Sequence, residues 1–532
     1  MAGWVVTTRR VRVAASALAL AAGAVVLAGW GQTSAKPEAA KAAGPQQGGT
    51  LSVLETSSYA GAWPVGLDPA TNTSDAADEP YMDAIYGTLF EQGSGGSIIP
   101  DLATGYSISS NAMTVTLDLR HGVVFSDGTP FNSAAVAYNI TQDLLPQYAN
   151  IADPFFPVSS ITTPDDYTVV LHLAKPFAPI ISAFPAEAPN WIASPTAIQK
   201  MGLKQFALTP VGAGPFKVVT DNPNAELVVK KNPLYWQKGK PYLNEIDFKA
   251  VSNDNSAVDS LQSGGADVEQ TFGTPSLLAS VKKSLQVSTI PPTAPLDIQL
   301  NTAIAPFNNQ LAREAIYYAT DQAGISKALS YGTGIVTQSP SGPGSILYEP
   351  KVPGYRSFDL AKAEALVKQM GGLSFTFDNV GLGSSALVGE ALVADFRRAG
   401  MNVTVNNLNT LQAILEAFSS NKWQSIVQGA GGTNPTVGLG SFGWRYLSSG
   451  PFTGVHDPTL DNMINQATGT VNVAQEKAEI KKIFNYISEK AYTPLIYAGP
   501  LWNISVHSVH GPGISTGLVA PLWEDVWMGT SS

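Results

Sequence analysis

Alternation of apolar and polar positions marks several strands in the first half of the chain. Thr114–Leu119 and Tyr167–Leu173 place apolar residues at about every second position, which is typical of a strand with one buried face. Leu227–Val229 and Ile246–Phe248 are shorter runs that also favour strands. The pattern therefore predicts a front half that is rich in strands, with helices inserted between them.

Beyond residue 300 the apolar positions recur every three or four residues, which is the spacing of one helix face. Asp359 can cap a helix that stops at Gly371, because its side chain can accept from free backbone N–H groups of the first turn. A second helix runs from about Glu390 to Gly400, and the strand Met401–Val405 follows at once. This stretch predicts a helix–strand unit.

Two more helices are predicted near the end of the chain. One opens at Asp457 with Pro458 in its first turn and ends at Gly469, and the other is capped by Asn472. The back half thus alternates helices with strands. Together the two halves predict an α/β protein in which mixed sheets are flanked by helices.

The N-terminal residues have the pattern of an export signal. Three arginines lie between Arg9 and Arg12, and an apolar run follows from Val13 to Leu27. This run is shorter than the ~20 residues that a membrane-spanning helix needs, so it suits a signal peptide better. We expect residues 1–35 to be the signal peptide and residues 36–47, rich in Pro, Gly, Gln, Ala and Lys, to be a flexible linker.

The end of the apolar run resembles the site at which bacterial lipoproteins are processed. Leu27–Trp30 reads Leu-Ala-Gly-Trp, whereas the lipoprotein site carries a Cys in the fourth position. An indole cannot form a thioether to a lipid, so we expect export without a lipid anchor at this site. Cleavage after a small residue such as Ala35 is the alternative.

Composition narrows the classes of function. The chain has 532 residues, only 14% of them charged, and a formal net charge of −10. An acidic balance disfavours binding to nucleic acid. Cysteine is absent, which excludes disulfides, thiolate catalysis and zinc sites built from cysteine.

The chain lacks the sequence patterns of catalysis. There are five histidines and no His-Glu-x-x-His. Gly513–Gly517 matches Gly-x-Ser-x-Gly, but it overlaps the Gly-Pro-Gly loop and lacks the strand-to-helix context of a nucleophile elbow. His507 and His510 lie close in sequence, but the adjacent Gly-Pro-Gly favours an irregular loop over a metal site. Gly438–Gly443 matches Gly-x-Gly-x-x-Gly without a clear strand before it or helix after it, so it is a poor dinucleotide site. We expect a protein that is not an enzyme and that needs no cofactor or metal.

Several stretches, in order, resemble the extracytoplasmic solute-binding proteins of ABC importers, in the family 5 class of oligopeptide-, dipeptide- and nickel-binding proteins. The strongest is Leu119–Tyr138, which is similar to the family signature L-R-x-G-V-x-F-x-D-G-x-P, with Ala135 in place of the usual acid. The other matching stretches are Gly48–Leu51, Leu67–Pro69, Tyr86–Phe90, Pro100–Ala103, Gly212–Phe216, Lys231–Trp236, Leu261–Gly264, Ala266–Val268 and Asn301–Asp321.

The resemblance implies a periplasmic-binding-protein-like fold of type II, with two lobes around a cleft and an extra inserted domain. We expect the following boundaries: lobe I, residues 48–88, 209–298 and 498–532; inserted domain II, residues 89–208; lobe III, residues 299–497. From the residues themselves, we expect Asp127–Pro130 to be a turn, Arg120 to pair with a carboxylate or cap carbonyls, and Gly212 and Gly214 to shape a crossing between lobes.

The resemblance also implies the function and the partners. A small solute, a peptide or a peptide-like molecule, is captured by hinge closure and delivered to an ABC permease, behind which the ATPase subunits lie. We expect an exported, extracytoplasmic monomer that binds no nucleic acid. The alternatives are a non-peptide solute (sugar, amine or metal chelate), a secreted sensor or chaperone, and a secreted hydrolase, which the missing catalytic patterns disfavour.

One departure from the family bears on the solute. In peptide-binding members, an Asp in a Trp-x-x-Asp stretch before a Pro holds the ammonium of the ligand. Residues 428–435 here contain neither the Trp nor the Asp, and Asn434 is the nearest polar replacement. An amide supplies no charge, so the contact with an ammonium is weaker. The departure raises the case for a neutral or different solute.

The remaining candidate contacts follow from position in the resemblance and from residue type. Asp75 is the only ionised candidate after the Leu-Asp-Pro turn, and Trp444 with Arg445 suits stacking combined with anion pairing. The full set of candidate ligand-binding residues is Thr73, Ser74, Asp75, Tyr59, Trp63, Asn434, Trp444, Arg445, Tyr446 and Tyr497.

Overall fold

The structure is a computed structural model. It describes residues 44–56, 66–72, 75–93, 97–145, 156–185, 187–380, 385–420, 422–428, 443, 445–450, 453–518 and 520–529. The predictions that lie outside these residues concern the signal peptide 1–35, linker residues 36–43, Gly438–Phe442 and the site candidates Tyr59, Trp63, Thr73, Ser74, Asn434 and Trp444.

Strands are distributed over most of the described chain. In chain order they are β1 Thr50–Thr56, β2 Phe90–Gln92, β3 Ile98–Pro100, β4 Ala103–Ile108, β5 Thr114–Leu119, β6 Val158–Asp165, β7 Thr168–Leu173, β8 Phe216–Asn222, β9 Glu226–Lys231, β10 Glu245–Val251, β11 Val268–Phe272, β12 Gln286–Ile290, β13 Asp297–Leu300, β14 Ser374–Val380, β15 Asn402–Leu408, β16 Ser425–Gln428, β17 Leu501–Ser505, β18 Val509–His510 and β19 Trp527–Met528.

Helices lie between the strands and are longest after residue 300. In chain order they are α1 Asp75–Tyr86, α2 Ser133–Asp143, α3 Ile180–Ala183, α4 Pro195–Met201, α5 Leu203–Phe206, α6 Asp254–Ser263, α7 Leu278–Val281, α8 Gln310–Ala319, α9 Gln322–Leu329, α10 Leu360–Gln369, α11 Ser385–Arg398, α12 Leu411–Ser420, α13 Pro458–Thr468 and α14 Val473–Glu489.

Three larger sheets carry the architecture. A seven-stranded mixed sheet has the order β12-β17-β11-β1-β10-β9-β8, with β1 parallel to both of its neighbours, β10 and β11. A four-stranded antiparallel sheet, β4-β5-β7-β6, is formed by residues that lie between β1 and β8 in sequence. A second four-stranded sheet has the order β13-β16-β14-β15 and is formed by residues that lie between β12 and β17. These mixed sheets flanked by helices agree with the predicted α/β fold class.

Each of the larger sheets has its own buried apolar cluster. Leu117, Leu171 and Phe125 lie in the cluster of the sheet β4-β5-β7-β6, and Phe377 and Ile426 lie in that of the sheet β13-β16-β14-β15. The seven-stranded sheet packs on two clusters. Because burial of apolar surface is the main favourable term in folding, separate clusters are what a protein of several domains requires. The predicted lobe boundaries stay a prediction.

Most elements that the sequence predicts are confirmed. The strand Thr114–Leu119 has the predicted bounds, and Asp359 and Asn472 cap α10 and α14 through their side chains. The helix expected from about Glu390 begins earlier, at Ser385. Among the described residues there is no helix of the length and apolarity needed to cross a bilayer.

Candidate functional site

Along the described residues, the chain passes from the seven-stranded sheet to the sheet β13-β16-β14-β15 after β12 and returns before β17. The outgoing segment, residues 291–296, joins β12 to β13, and the return segment, residues 490–500, joins α14 to β17. Leu296 N–H donates to the carbonyl of Tyr497 at 2.9 Å, and Ile496 N–H donates to the carbonyl of Leu296 at 2.8 Å. We call these two paired segments the crossing.

A loop between α9 and α10 contacts both segments of the crossing. This loop, residues 335–344, is called the brace. Ile335 forms a bridge with Ala498 on the return segment. The N–H groups of Gly342 and Gly344 donate to carbonyls of the outgoing segment at 2.6 and 2.8 Å. A Cβ on Gly344 would lie 2.7 Å from a backbone oxygen of that segment, so the close approach depends on glycine.

Two helices fix the return segment where it meets the sheet β13-β16-β14-β15. The hydroxyl of Tyr317 on α8 donates to the carbonyl of Thr493 at 2.7 Å. The amide Nε2 of Gln322 on α9 donates to the carbonyl of Leu495 at 2.6 Å. Buried backbone carbonyls need such partners, so this end of the crossing is firmly held.

A buried ion pair lies where the outgoing segment enters β13. Asp297, the first residue of β13, is 1% exposed, and its Oδ2 pairs with the guanidinium of Arg445, which is 9% exposed. Burial raises the pKa of Asp297 to about 6, and the charge of Arg445 opposes that rise. The hydroxyl of Thr453 donates to the carbonyl of Arg445 at 2.9 Å. The charge of Arg445 is therefore already matched inside the protein.

Two of the candidate tyrosines lie beside this pair and the crossing. Tyr446 is fully buried, and burial, with the charge of Asp297, raises the pKa of its hydroxyl. Tyr497 belongs to the return segment and is 6% exposed, with its ring packed against Gly334. The structure thus brings Arg445, Tyr446 and Tyr497 together around the crossing.

Acidic side chains gather at the edge of the seven-stranded sheet that is formed by the ends of its strands, close to the end of β1. β1 and β11 are parallel neighbours there, and their register sets Glu269 beside Leu54, the residue before Glu55. Glu55 near the end of β1 and Glu269 in β11 are both buried, and the hydroxyl of Thr271 donates to Oε1 of Glu55 at 3.1 Å. Burial is the main cause that raises the pKa of Glu55 to about 8 and that of Glu269 to about 9, and the carboxyl of Asp254 raises both further. These glutamates are neutral acids at neutral pH.

Thr271 adopts an unusual backbone conformation at this edge. Its φ is 52°, and the pairing of β11 with β17 shifts register between Glu269 and Phe272. A β-branched residue with positive φ costs about 1–3 kcal/mol and persists only where its surroundings enforce it. The N–H of Thr271 donates to Oδ1 of Asn503 at 3.3 Å, so β17, the strand that follows the return segment, contributes to this edge.

The other candidates from the sequence are placed as follows. Asp75 is the first residue of α1. Tyr59, Trp63, Thr73, Ser74, Asn434 and Trp444 lie outside the described residues, and their roles stay predictions. Within the described residues no group of three or more His, Asp or Glu side chains is arranged to hold a metal ion.

Three buried acids, at the crossing and on the strands β1 and β11, were not predicted from the sequence. Asp297 alternates with the apolar residues Leu296 and Ile298, and Glu55 and Glu269 each directly follow an apolar residue within a run of buried positions. An acid in such a position is rarely buried without a partner, which was a usable signal. What could not be read from the sequence is that Arg445, far along the chain, is the partner of Asp297.

Comparison with known proteins identifies the family. The family model described as bacterial extracellular solute-binding proteins, family 5 Middle, matches residues 97–451, about two thirds of the chain. The glutathione-binding protein GsiB of Salmonella choleraesuis (strain SC-B67) is 32% identical over 323 residues, which cover 57% of this chain and 59% of that protein. The chain thus matches less than two thirds of the length of this curated relative.

Solved structures support the same fold. The binding protein AgaA from A. tumefacien R10, in complex with agropinic acid, has a TM-score of 0.74 at 23% identity and covers 91% of this chain and 99% of its own. The periplasmic binding protein DppA from Helicobacter pylori, in complex with the peptide STSA, has a TM-score of 0.75 at 21% identity and covers 91% and 98%. From its fold and from the family match, the chain belongs to the bacterial extracellular solute-binding proteins, family 5.

Proposed function

We propose that the chain is the solute-capturing component of an ABC import system. In this proposal the seven-stranded sheet and the sheet β13-β16-β14-β15 belong to the two lobes, and the solute binds in the cleft between them. The single observation that carries the proposal is the crossing. Two antiparallel segments join the two sheets, and they are the place where a hinge can open and close the lobes.

The proposed solute is a peptide or a peptide-like molecule. GsiB is a glutathione-binding protein and the DppA neighbour holds a tetrapeptide, which supports this class. The proposed contacts are Tyr59, Trp63, Thr73, Ser74, Asp75, Asn434, Trp444 and Tyr497. The charge of Arg445 is already matched by Asp297, and Tyr446 lies beside that pair, so we assign these two residues to the support of the crossing rather than to direct contact.

A thermal-shift series tests this function. The probes are reduced glutathione, a dipeptide and a tetrapeptide with free N-termini, and the same tetrapeptide with an acetylated N-terminus. A ligand that binds only the folded state stabilises it by about 2.7 kcal/mol at a concentration of 100 Kd, so the melting temperature rises with ligand concentration. We expect one of these probes to raise the melting temperature and to change the fluorescence of the chain's 10 tryptophans. If none does, and sugars, amines and metal chelates are also without effect, capture of a small solute is the wrong function.

The substitution Asn434→Asp tests whether residue 434 binds the N-terminal ammonium of a peptide. The substitution restores the charge that peptide-binding members carry, and a charged hydrogen bond is about twice as strong as a neutral one. We expect N434D to tighten binding of the free peptide and to leave binding of the acetylated peptide unchanged. Equal effects on both peptides would show that Asn434 does not face the N-terminus. Binding of a non-peptide probe alone would favour the alternative solute class.

We also propose that residues 1–35 direct export and that Trp30 prevents lipidation. In this proposal the mature chain acts outside the cytoplasm, as a monomer, together with a permease. Intact mass of the protein recovered from a bacterial host tests the export and processing. The expected mass is that of the chain cut near residue 35, without lipid. The matched variant W30C completes the lipoprotein site, so it should be cut before residue 30 and carry the mass of the lipid. An unprocessed chain in both cases contradicts the proposal.

A further inference from the structure

The pair Asp297–Arg445 occupies the junction between the crossing and the sheet β13-β16-β14-β15. Asp297 directly follows the outgoing segment and also bridges to Leu495 on the return segment. Arg445 comes from a distant part of the sequence and directly follows Trp444, one of the proposed contacts. One side-chain contact therefore connects both segments of the crossing with the region that the proposed function assigns to solute binding.

The ion pair is also a hydrogen bond, so its geometry fixes the orientation of both side chains. The guanidinium donates to Oδ2 of Asp297, while Nε2 of Gln299 lies 3.4 Å from Oδ1. Both charged groups are almost fully removed from water, so a movement of either one to solvent breaks a buried charged hydrogen bond. The neutral hydrogen bonds from Tyr317 and Gln322 hold the return segment. The ion pair instead fixes the first residue after the outgoing segment, and the brace also contacts that segment through two glycine N–H groups.

We propose that the pair Asp297–Arg445 positions the crossing and thereby sets the balance between open and closed forms, so that Arg445 acts on solute capture without touching the solute. The inference rests on the proposed hinge function. It assigns a positioning role to a residue whose type and sequence position otherwise suggest an anion-binding contact. A hinge that is held at one end by a buried ion pair closes along a defined path, and a hinge without it samples a wider range of lobe orientations.

The absence of cysteine allows the lobe orientation to be measured directly. Spin labels on the double variant K230C/K362C report a distance between β9 and α10, and no other site takes the label. The side chains of Lys230 and Lys362 are 55% and 63% exposed, and their surface ion pairs contribute little to stability. The readout is the interlabel distance distribution of the protein without solute, so it does not depend on knowing the solute.

Two variants remove both charges together, because removal of one alone would leave a buried unpaired charge. D297N/R445Q keeps polar groups, and D297L/R445M replaces the pair by apolar groups of similar length. We expect the distance distribution to become at least twice as wide in each variant that folds, and R445K, which keeps the charge, to stay close to the starting protein. The control K240Q/D525N removes the half-buried pair Lys240–Asp525, which lies away from the crossing, and should leave the width unchanged.

Each outcome decides the inference. A charge-free variant that melts cooperatively and keeps the original distance distribution overturns it, and so does a failure of both charge-free variants to fold, since the pair would then be structural only. Widening in the control to the same extent would also contradict it. The solute series is independent. If a probe binds but the widths do not change, the proposed function survives and the positioning role of Arg445 does not.

Discussion

At the scale of single residues, the molecule is distinguished by carboxyl groups that are buried and protonated. Glu269 is fully buried in β11, and burial, with the nearby carboxyls of Asp254 and Glu55, raises its pKa to about 9 from an ordinary 4.5. The unfolded chain loses this proton near pH 4.5, whereas the folded protein keeps it up to about pH 9. The folded state therefore binds more protons in that window, and its stability falls as pH rises through it.

Substitution of Glu269 by Gln removes this proton linkage. We expect E269Q to melt close to the starting protein at pH 5 and at a higher temperature at pH 8, because an amide needs no proton to stay neutral. One linked proton contributes about 1.4 kcal/mol per pH unit, so the gap should grow steadily with pH. Calorimetry from pH 5 to pH 8 gives the measurement. E364Q, at an exposed glutamate of α10, is the control and should show no such trend; a constant gap for E269Q would mean that Glu269 is ionised in the folded protein.

At the scale of elements, the segment Gly212–Gly214 packs against the end of α1. Ala213 and Gly214 N–H groups donate to the carbonyls of Tyr86 and Ile85, both at 3.0 Å. A Cβ on Gly214 would lie 2.6 Å from the backbone of Ile85, which cannot yield without moving the helix. These glycines form a close contact between a helix and the loop before β8. Their predicted place where the chain passes between lobes stays a prediction.

Gly214→Ala tests how tight this contact is. Overpacking of a rigid site costs about 1–3 kcal/mol, so we expect G214A to lower the melting temperature by several degrees. The comparison is G105A, on β4, where an added Cβ meets its nearest atom at 3.5 Å and needs no shift. Equal melting temperatures for G214A and G105A would show that α1 moves aside without cost.

Whether a feature can be predicted from the sequence depends on how local its physical cause is. Local signals such as the Asp359 cap and the alternation in Thr114–Leu119 predicted helices and strands well, because the cause of each element lies within a few residues. Arg120 was expected to pair with a carboxylate or cap carbonyls, and its Nε donates to the carbonyl of Asp101. The partner of Arg445 could not be found in the same way, because Asp297 is distant in sequence and only the fold brings the two together.

At the scale of the whole molecule, the brace couples the crossing to lobe III as that lobe was predicted from the sequence. It lies between α9 and α10, yet its N–H groups at Gly342 and Gly344 bind the outgoing segment and Ile335 pairs with the return segment. Motion of the hinge must therefore either carry the brace along or break these bonds. We therefore expect the brace to move together with the outgoing segment if the crossing is the hinge that we propose, because its backbone approaches that segment closely at Gly344.

Gly344→Ala should loosen the brace, because its Cβ would lie 2.7 Å from the carbonyl oxygen of Pro291. We expect amide exchange in peptides covering residues 291–299 and 492–500 to become faster, since the crossing loses its lateral hydrogen bonds. The control is G273A, where an added Cβ meets the Leu501 side chain at 3.6 Å and the carbonyl oxygen of Thr271 at 3.9 Å, both ordinary contacts, and exchange in both peptides should stay at the starting rate. Hydrogen–deuterium exchange with mass spectrometry makes the measurement. If G344A lowers the melting temperature but leaves exchange at the crossing unchanged, the brace stabilises its own loop and has no hold on the hinge.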